Sequence, residues 1–278
     1  MGASLPVAAA SPGYDPPVIA AADAPERFTG RAGYYVRGRP GYPEALFDRL
    51  LERTGLAAGA VVADLGAGTG IASEPLLRRG LRVAAVEPNA AMRAAAVERL
   101  GAAAGFRATA GTAEATGLGP ASVDLALAAQ AFHWFDPDRA RRELRRITRP
   151  PHRAALIWNA RRATGAPFLE QYETLLVRFG TDYAQVGHRG IGTERIAAFF
   201  GGRFEHHRFD NAQLLDREGL QARLLSSSYV PARGAPGHDE MLAELERIFL
   251  RHQRDGRVRI DYDVDLFLGT LDGHSEPP

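Results

Sequence analysis

The stretch VVADLGAGTG, Val61–Gly70, decides the fold. Three apolar residues, Val61, Val62 and Ala63, lead to Asp64, and glycine then occupies the alternate positions Gly66, Gly68 and Gly70. Such a run predicts a buried strand, a tight turn and the start of a helix. Glycine lets the backbone approach a ligand with no Cβ in the way, and a helix N-terminus offers free N–H donors. A dinucleotide fingerprint, G-x-G-x-x-G, would need a small residue at position 71, where this chain has Ile71. The spacing here is G-x-G-x-G, and the segments around it must say whether the turn holds a ligand or is an ordinary glycine-rich loop.

Downstream, Ile71–Arg79 predicts a helix stopped by Gly80, and Leu81–Val86 predicts a second buried strand. That strand ends in Glu87, 21 positions after Gly66. The offset is close to the ~20 residues at which nucleotide-binding α/β folds place a carboxylate on ribose hydroxyls. Asn89 predicts the cap of a helix over Ala90–Leu100. Phe106–Ala110 reads as a third strand and Val123–Ala129 as a fourth, which delivers Gln130, Ala131, Phe132, His133, Trp134 and Phe135 at its C-terminal end. Asp136 and Pro137 open the next helix as N-cap and first residue, with Ala140, Leu144 and Ile147 as its sheet-facing stripe. Ala154–Trp158 is a fifth strand. Strands alternating with helices imply a parallel sheet with ligands at the strand C-termini, where Gly66–Gly70, Glu87, Thr112, Ala113 and Gln130 all fall.

Around this core the chain divides by composition. Residues 1–24, rich in Ala and Pro, predict a disordered tail, and residues 25–58 a helical lead-in in which Pro43 opens a helix ending at Gly55. Tyr34, Tyr35, Arg37, Arg39 and Tyr42 precede that helix, either as a lid over the site or as a surface lead-in. Residues 59–160 form the binding core. Residues 161–203 predict a helical cap insertion, with Phe168, Tyr172, Leu175, Leu176 and Phe179 on one helix face, and 204–271 complete the sheet. In that last part Phe204–Phe209 reads as a strand, Asp216 starts a helix, Met241–Phe249 is amphipathic, and Arg257–Leu268 alternates like an exposed edge strand; 272–278 is a tail.

Composition bounds the function. A chain of 278 residues, 45% hydrophobic and 24% charged, can bury a sizeable core. A formal charge of +1 gives no general attraction to nucleic acid or anionic lipid, and the arginines Arg141, Arg142, Arg145 and Arg146 read as a solvated helix face. All 34 basic residues are arginine, which reads as the codon bias of a GC-rich bacterial genome. The absence of cysteine excludes disulfides and thiolate chemistry. The proline-broken N-terminus lacks a basic n-region and no apolar run approaches the ~20 residues of a membrane span, so the expectation is a cytoplasmic protein with no membrane or nucleic-acid partner. His206 and His207, adjacent on a strand, would point to opposite faces, and His238 beside Asp239 reads as a solvated loop pair; no metal is expected.

Five segments together resemble a known family: RPGYP (Arg39–Pro43), DLGAGTG (Asp64–Gly70), VEPNAAM (Val86–Met92), GTAEATGL (Gly111–Leu118) and SVDLALAAQAFHWFD (Ser122–Asp136). They resemble the class I S-adenosylmethionine-dependent methyltransferases, in particular the small-molecule group with an AQAFHWF motif that includes trans-aconitate methyltransferase-like proteins. The likeness extends over about Phe28 to Leu271. It implies a Rossmann-like α/β sheet with a helical cap, S-adenosylmethionine as cofactor and a small-molecule substrate. Carried over residue by residue, it implies that Asp64, Gly66, Ala67 and Gly68 approach the methionine portion. Glu87 would bind the ribose, and Pro88 and Met92 would lie near the adenine. Thr112 and Ala113 fall where many relatives have Asp-Ala beside the adenine amine, and Thr112 departs from that acid. Gln130 would sit beside the sulfonium, and Tyr35 and Arg39 would close over the methionine carboxylate.

Methyl transfer is an in-line displacement, so holding nucleophile, methyl and sulfur in line supplies most of the effect. An acceptor phenol, with pKa near ~10, would gain from a base, whereas a carboxylate near ~4 would not. His133, at a strand end beside the cofactor, is the candidate base, or else a histidine that packs or positions the substrate; with Gln130 it would floor the acceptor pocket, Phe132 and Trp134 would shape it, and Arg37 or Arg161 would be available to a carboxylate. Two other functions share these motifs: an S-adenosylmethionine-binding enzyme that catalyses a non-methylating step such as cyclisation, and a non-catalytic cofactor-binding protein.

Overall fold

The structure, a computed structural model, describes residues 32–181, 183 and 192–272. The tail expected over 1–24, and all of 272–278 except Asp272, fall outside the described residues.

In chain order the elements are α1 (Ala32–Gly38), α2 (Glu44–Thr54), β1 (Val61–Leu65), α3 (Ser73–Arg78), β2 (Arg82–Val86), α4 (Ala90–Leu100), β3 (Phe106–Thr109) and β4 (Leu125–Ala129). There follow a short 3-10 turn (Phe132–Trp134), α5 (Pro137–Ile147), β5 (Arg153–Arg161), α6 (Pro167–Phe179), α7 (Thr193–Phe200), β6 (Phe204–Leu215), α8 (Arg217–Leu225), α9 (His238–His252) and β7 (Val258–Thr270). The strands form one sheet in the order β3-β2-β1-β4-β5-β7-β6. The first five run parallel, and β7 is antiparallel to both β5 and β6. Order therefore reverses between β1 and β4, which leaves a crevice at their C-terminal ends.

Side-chain alternation sorts β4 between the two faces. Leu125 and Leu127 pack with Leu46, Leu50 and Leu76 from α2 and α3. Ala126 and Ala128 face the other way, where their small size admits Phe132, Phe135 and Leu144, together with Phe199 and Phe200 of α7. The helices start on the caps that the sequence offers: Asn89 Oδ1 accepts the N–H of Met92 at 2.9 Å, and Asp136 Oδ1 accepts those of Asp138 and Arg139 at 3.1 and 3.0 Å.

Three features differ from the sequence reading. Strand β7 is interior, and β6 forms the edge on that side of the sheet. Its alternating acids looked solvent-facing but are neutralised laterally: Asp265 accepts from His206 Nε2 at 2.7 Å and from Arg208 at 2.8 Å, and Asp263 pairs with Arg162. Helix α7 packs on the sheet and not over the site, while the cap cluster draws on α6, α8, α9 and the start of β7, a wider set than residues 161–203. His238 is buried, with Nδ1 3.0 Å from the carbonyl of Pro231, because it opens α9 instead of standing in a loop. His206 and His207 do part to different partners, Asp265 and Glu205. Among the described residues no group of three or more His, Asp or Glu is placed to hold a metal ion, and no helix is long and apolar enough to cross a membrane.

Candidate active site

The crevice is built from strand ends. After β1 the chain turns through Gly66 and Gly68, both at positive φ (+66° and +56°), a region where side chains are strained. A Cβ on Gly66 would lie 2.6 Å from that of Ala131, so glycine there permits the β1 and β4 ends to meet. A Cβ on Gly68 would find only the Tyr35 ring, at 3.9 Å, because this glycine faces the open crevice.

Glu87, at the end of β2, stands across from the turn. Its Oε2 accepts the N–H of Gly68 at 2.8 Å and its Oε1 that of Asn89 at 2.8 Å. Burial pushes its pKa up, opposed by those two hydrogen bonds and by Arg93. Asp64 lies deeper, 1% exposed. Ser73 donates to its Oδ2 at 2.6 Å, while Oδ1 is buried with no partner among the described residues. Burial raises its pKa to about 6, with Ser73 opposing and the Glu87 charge adding to the rise. A buried carboxylate oxygen left without a donor marks a place for a cationic or donor ligand group.

The structure brings Tyr35, Gly66, Gly68, Glu87, Pro88, Met92, Thr112, Ala113 and Gln130 to the walls of this one crevice. Ala67 instead packs inward against the sheet core. Trp134, expected as a pocket wall, lines it too; Asn89, Glu114, Ala129, Ala131 and Phe135 also line it and carry no such expectation from sequence. Of these, Glu114 could have been found from its place in the loop after β3; it accepts the N–H of Asp136 at 2.9 Å.

A second, smaller cavity adjoins the first, and Tyr35 and Gln130 line both. Arg39, Pro40, Tyr42, Ile71, Asn159, Arg161, Arg223 and Tyr262 complete it. Gln130 has positive φ (+56°) and donates from Nε2 to the carbonyl of Asn159 at 2.7 Å, which fixes its side chain between the two spaces. Arg39 stacks 4.9 Å over the Tyr35 ring and donates to the carbonyl of Ser226 at 3.0 Å. Arg37, by contrast, is exposed and lines neither cavity.

His133 also lines neither cavity. It sits between Trp134 and Trp158, at ring-centroid distances of 4.5 and 5.1 Å, with Nδ1 buried and without a partner among the described residues. Burial, with the charges of Arg195 and Arg39, lowers its pKa to about 3. The ring is thus a neutral imidazole at any working pH and a poor proton acceptor.

Comparison with known proteins agrees with this architecture. Residues 63–155 match a methyltransferase domain family. An uncharacterized methyltransferase of Mycobacterium tuberculosis is 45% identical over 138 residues, covering 48% of this chain and 52% of the relative, so the chain spans about half the length of the curated relatives it first matches. An uncharacterized methyltransferase-like protein of Schizosaccharomyces pombe is 27% identical over 245 residues, 84% of this chain and 91% of the relative. Among solved structures, a candidate type II methyltransferase of Anaeromyxobacter dehalogenans superposes with a TM-score of 0.58 at 29% identity, over 85% of this chain and 99% of that one. Residues 63–155 are therefore similar to a methyltransferase domain, and the seven-stranded Rossmann-like sheet that carries them matches the sheet of that solved methyltransferase structure.

Proposed function

We propose that the protein transfers the methyl group of S-adenosylmethionine to a small-molecule acceptor, by O-methylation or else at carbon or nitrogen. The observation that carries this reading is the orphaned Oδ1 of Asp64 beneath a glycine turn that Glu87 braces from the far side. These residues fit the cofactor: Asp64 offers a buried acceptor to an ammonium, Gly68 leaves backbone exposed to a ligand, and Glu87 keeps lone pairs for ribose hydroxyls. Pro88 and Met92 supply apolar surface for a base, with Thr112 and Ala113 at its edge. Tyr35 and Arg39 close over the carboxylate end.

When bound, the cofactor supplies a methyl group already activated on a sulfonium. The chain's own task is then to bind, align and exclude water. Gln130, locked by Asn159, sets the boundary between cofactor crevice and acceptor cavity. Residues 38–42 are fastened over this boundary: Asn211 and Asn159 donate to the carbonyl of Gly41 at 2.8 and 3.3 Å, and Gln213 to that of Gly38 at 3.2 Å. That tethering favours the lid reading of Tyr34–Tyr42, with α6, α8 and α9 as the rest of the cap. His133 fits the role of a neutral positioning group better than that of a base. The AQAFHWF segment, from which Ala129, Gln130, Ala131, Trp134 and Phe135 reach the crevice, supports the small-molecule group.

The test is release of S-adenosylhomocysteine from S-adenosylmethionine on incubation with small-molecule acceptors. A product formed without that release would mean a non-methylating enzyme. Binding with no turnover of any acceptor would mean a non-catalytic protein.

A further inference from the structure

The carbonyl of Gly38 is the last of α1, and a helix end leaves such carbonyls without a partner inside the helix. Its partner comes from the edge strand: Gln213 Nε2 of β6 donates to it at 3.2 Å. The other end of the same amide is held as well, since the Tyr262 hydroxyl of β7 donates to Gln213 Oε1 at 2.6 Å. Strand register makes this meeting possible. Tyr262 stands opposite Asn211, and Gln213 lies two residues further on, so all three side chains leave one face of the β6–β7 pair. That face meets the lid segment, where Asn211 reaches the Gly41 carbonyl and Gln213 that of Gly38.

The Tyr262 oxygen is in turn an acceptor, from Arg223 Nε of α8 at 3.2 Å. Arg223 is 3% exposed, and its other partner is Ser227 Oγ at 3.3 Å, so its contacts are neutral. The direction of each bond in this row is fixed from its two ends. A guanidinium can only donate, so the phenol oxygen accepts from Arg223 and keeps its one proton for Gln213. A carbonyl can only accept, so Gln213 must turn its NH2 to Gly38 and its oxygen to Tyr262. A flipped amide would set Oε1 against the Gly38 carbonyl. The same stretch of α8 also receives the lid directly: a Cβ on Gly38 would lie 2.5 Å from the backbone of Ala222 and Arg223, and Arg39 donates to the Ser226 carbonyl at 3.0 Å.

We propose that Gln213 is a positioning residue: oriented by Arg223 through Tyr262, its amide latches the Gly38 end of the lid segment and so holds Tyr35 at the wall shared by both cavities. The buried guanidinium of Arg223 acts in this row as the fixed donor that polarises it, a use for a charge with no carboxylate beside it. What lies beneath the lid rests on the proposed methyltransferase reading, whereas the latch itself needs no ligand. Asn211 and Asn159 hold the Gly41 end independently, so loss of Gln213 frees one end of the segment and not the whole.

Amide hydrogen exchange over residues 35–42 of the ligand-free full chain reads the latch, and calorimetric titration with S-adenosylhomocysteine reads its consequence. Gln213→Met, which fills the space with neither donor nor acceptor, should speed exchange there about fivefold, the order of one neutral hydrogen bond lost. Gln213→Glu can still accept from Tyr262 but turns an anion on the Gly38 carbonyl, and should speed it further. Melting temperature should stay close to wild type in both, and S-adenosylhomocysteine affinity should fall in the same order. Tyr262→Phe should speed exchange in the wild-type chain and add nothing in Gln213→Met, because it acts only through the amide. Any of three results overturns the latch: wild-type exchange over 35–42 in both Gln213 variants, Tyr262→Phe adding the same factor with or without Gln213, or faster exchange with S-adenosylhomocysteine affinity unchanged. If the wild-type chain binds no S-adenosylhomocysteine, the methyltransferase reading fails at that step, while the exchange rates still decide the latch.

Discussion

Glu87 braces the glycine turn directly, its Oε2 accepting the Gly68 N–H at 2.8 Å while Oε1 holds that of Asn89 at 2.8 Å. The carboxylate is thereby fixed in place before any ligand arrives, and ordering it costs nothing on binding. Glu87→Ala should weaken S-adenosylmethionine binding at least tenfold, the scale of about 1.5–3 kcal/mol for hydrogen bonds to a charged group. Gly68→Val should weaken it similarly, since the crevice that faces Gly68 would be filled by a branched side chain. Titration calorimetry reads the affinity, and circular dichroism checks that the helices persist. Wild-type affinity in both variants would remove the glycine turn from the cofactor site.

Asp64 trades stability for binding. Its pKa is raised to about 6 by burial, so ionising it in the folded protein is harder than in the unfolded chain, where the group titrates near 3.8. The sign follows: the penalty is absent below the unfolded value, grows as pH rises, and is complete above about 6. Asp64→Asn, which keeps an acceptor for Ser73, should stabilise the ligand-free protein above pH 7 by up to about 3 kcal/mol. The same change should abolish tight cofactor binding. Thermal melts at pH 5 and pH 8 test it: the stabilisation should be larger at pH 8, and an equal effect at both would contradict the assignment.

His133 should not appear in the pH profile. With a pKa near 3 it stays neutral across the working range, so turnover should show no inflection near 6.5 that disappears in His133→Ala. Removing the ring from between Trp134 and Trp158 should still lower turnover through lost packing, by a factor that is the same at pH 6 and pH 9. A deficit that shrinks steadily as pH rises would restore the general-base role.

Gly38 sets how closely the lid segment sits on the cap. A Cβ there would lie 2.5 Å from backbone atoms of Ala222 and Arg223 in α8, which cannot yield as a flexible side chain would. Gly38→Ala should push α1 away from α8 and carry Tyr35 and Arg39 with it. The expected result is a cofactor KM raised several-fold, with faster proteolysis near residue 38 and little change in melting temperature. An unchanged KM would mean that the segment is only a surface lead-in.

The sequence by itself determined the parallel half of the sheet and the place of the crevice. Both rest on local rules: apolar runs broken by Gly66–Gly70, by Glu87 and by Asn89 fix where strands end and helices begin, and ligands gather where parallel strands end. Tertiary structure decided whatever depended on neighbours distant in the chain. The acids of β7 resembled an exposed edge because nothing local shows that Arg208, His206 and Arg162 neutralise them from outside the strand. Locally His133 reads equally as a base or as a positioning group; only the tertiary contacts with Trp134 and Trp158, and the lowered pKa that goes with their packing, favour the second. Arg161 stands just after the fifth strand in the sequence reading and so falls near the site, but Arg223, 62 residues further on in α8, carries no motif. Only the folding of α8 and the β6–β7 pair over the ends of β4 and β5 places their charges around one cavity, and the electrostatic cost of burying a charge is a property of that enclosure and not of either residue alone.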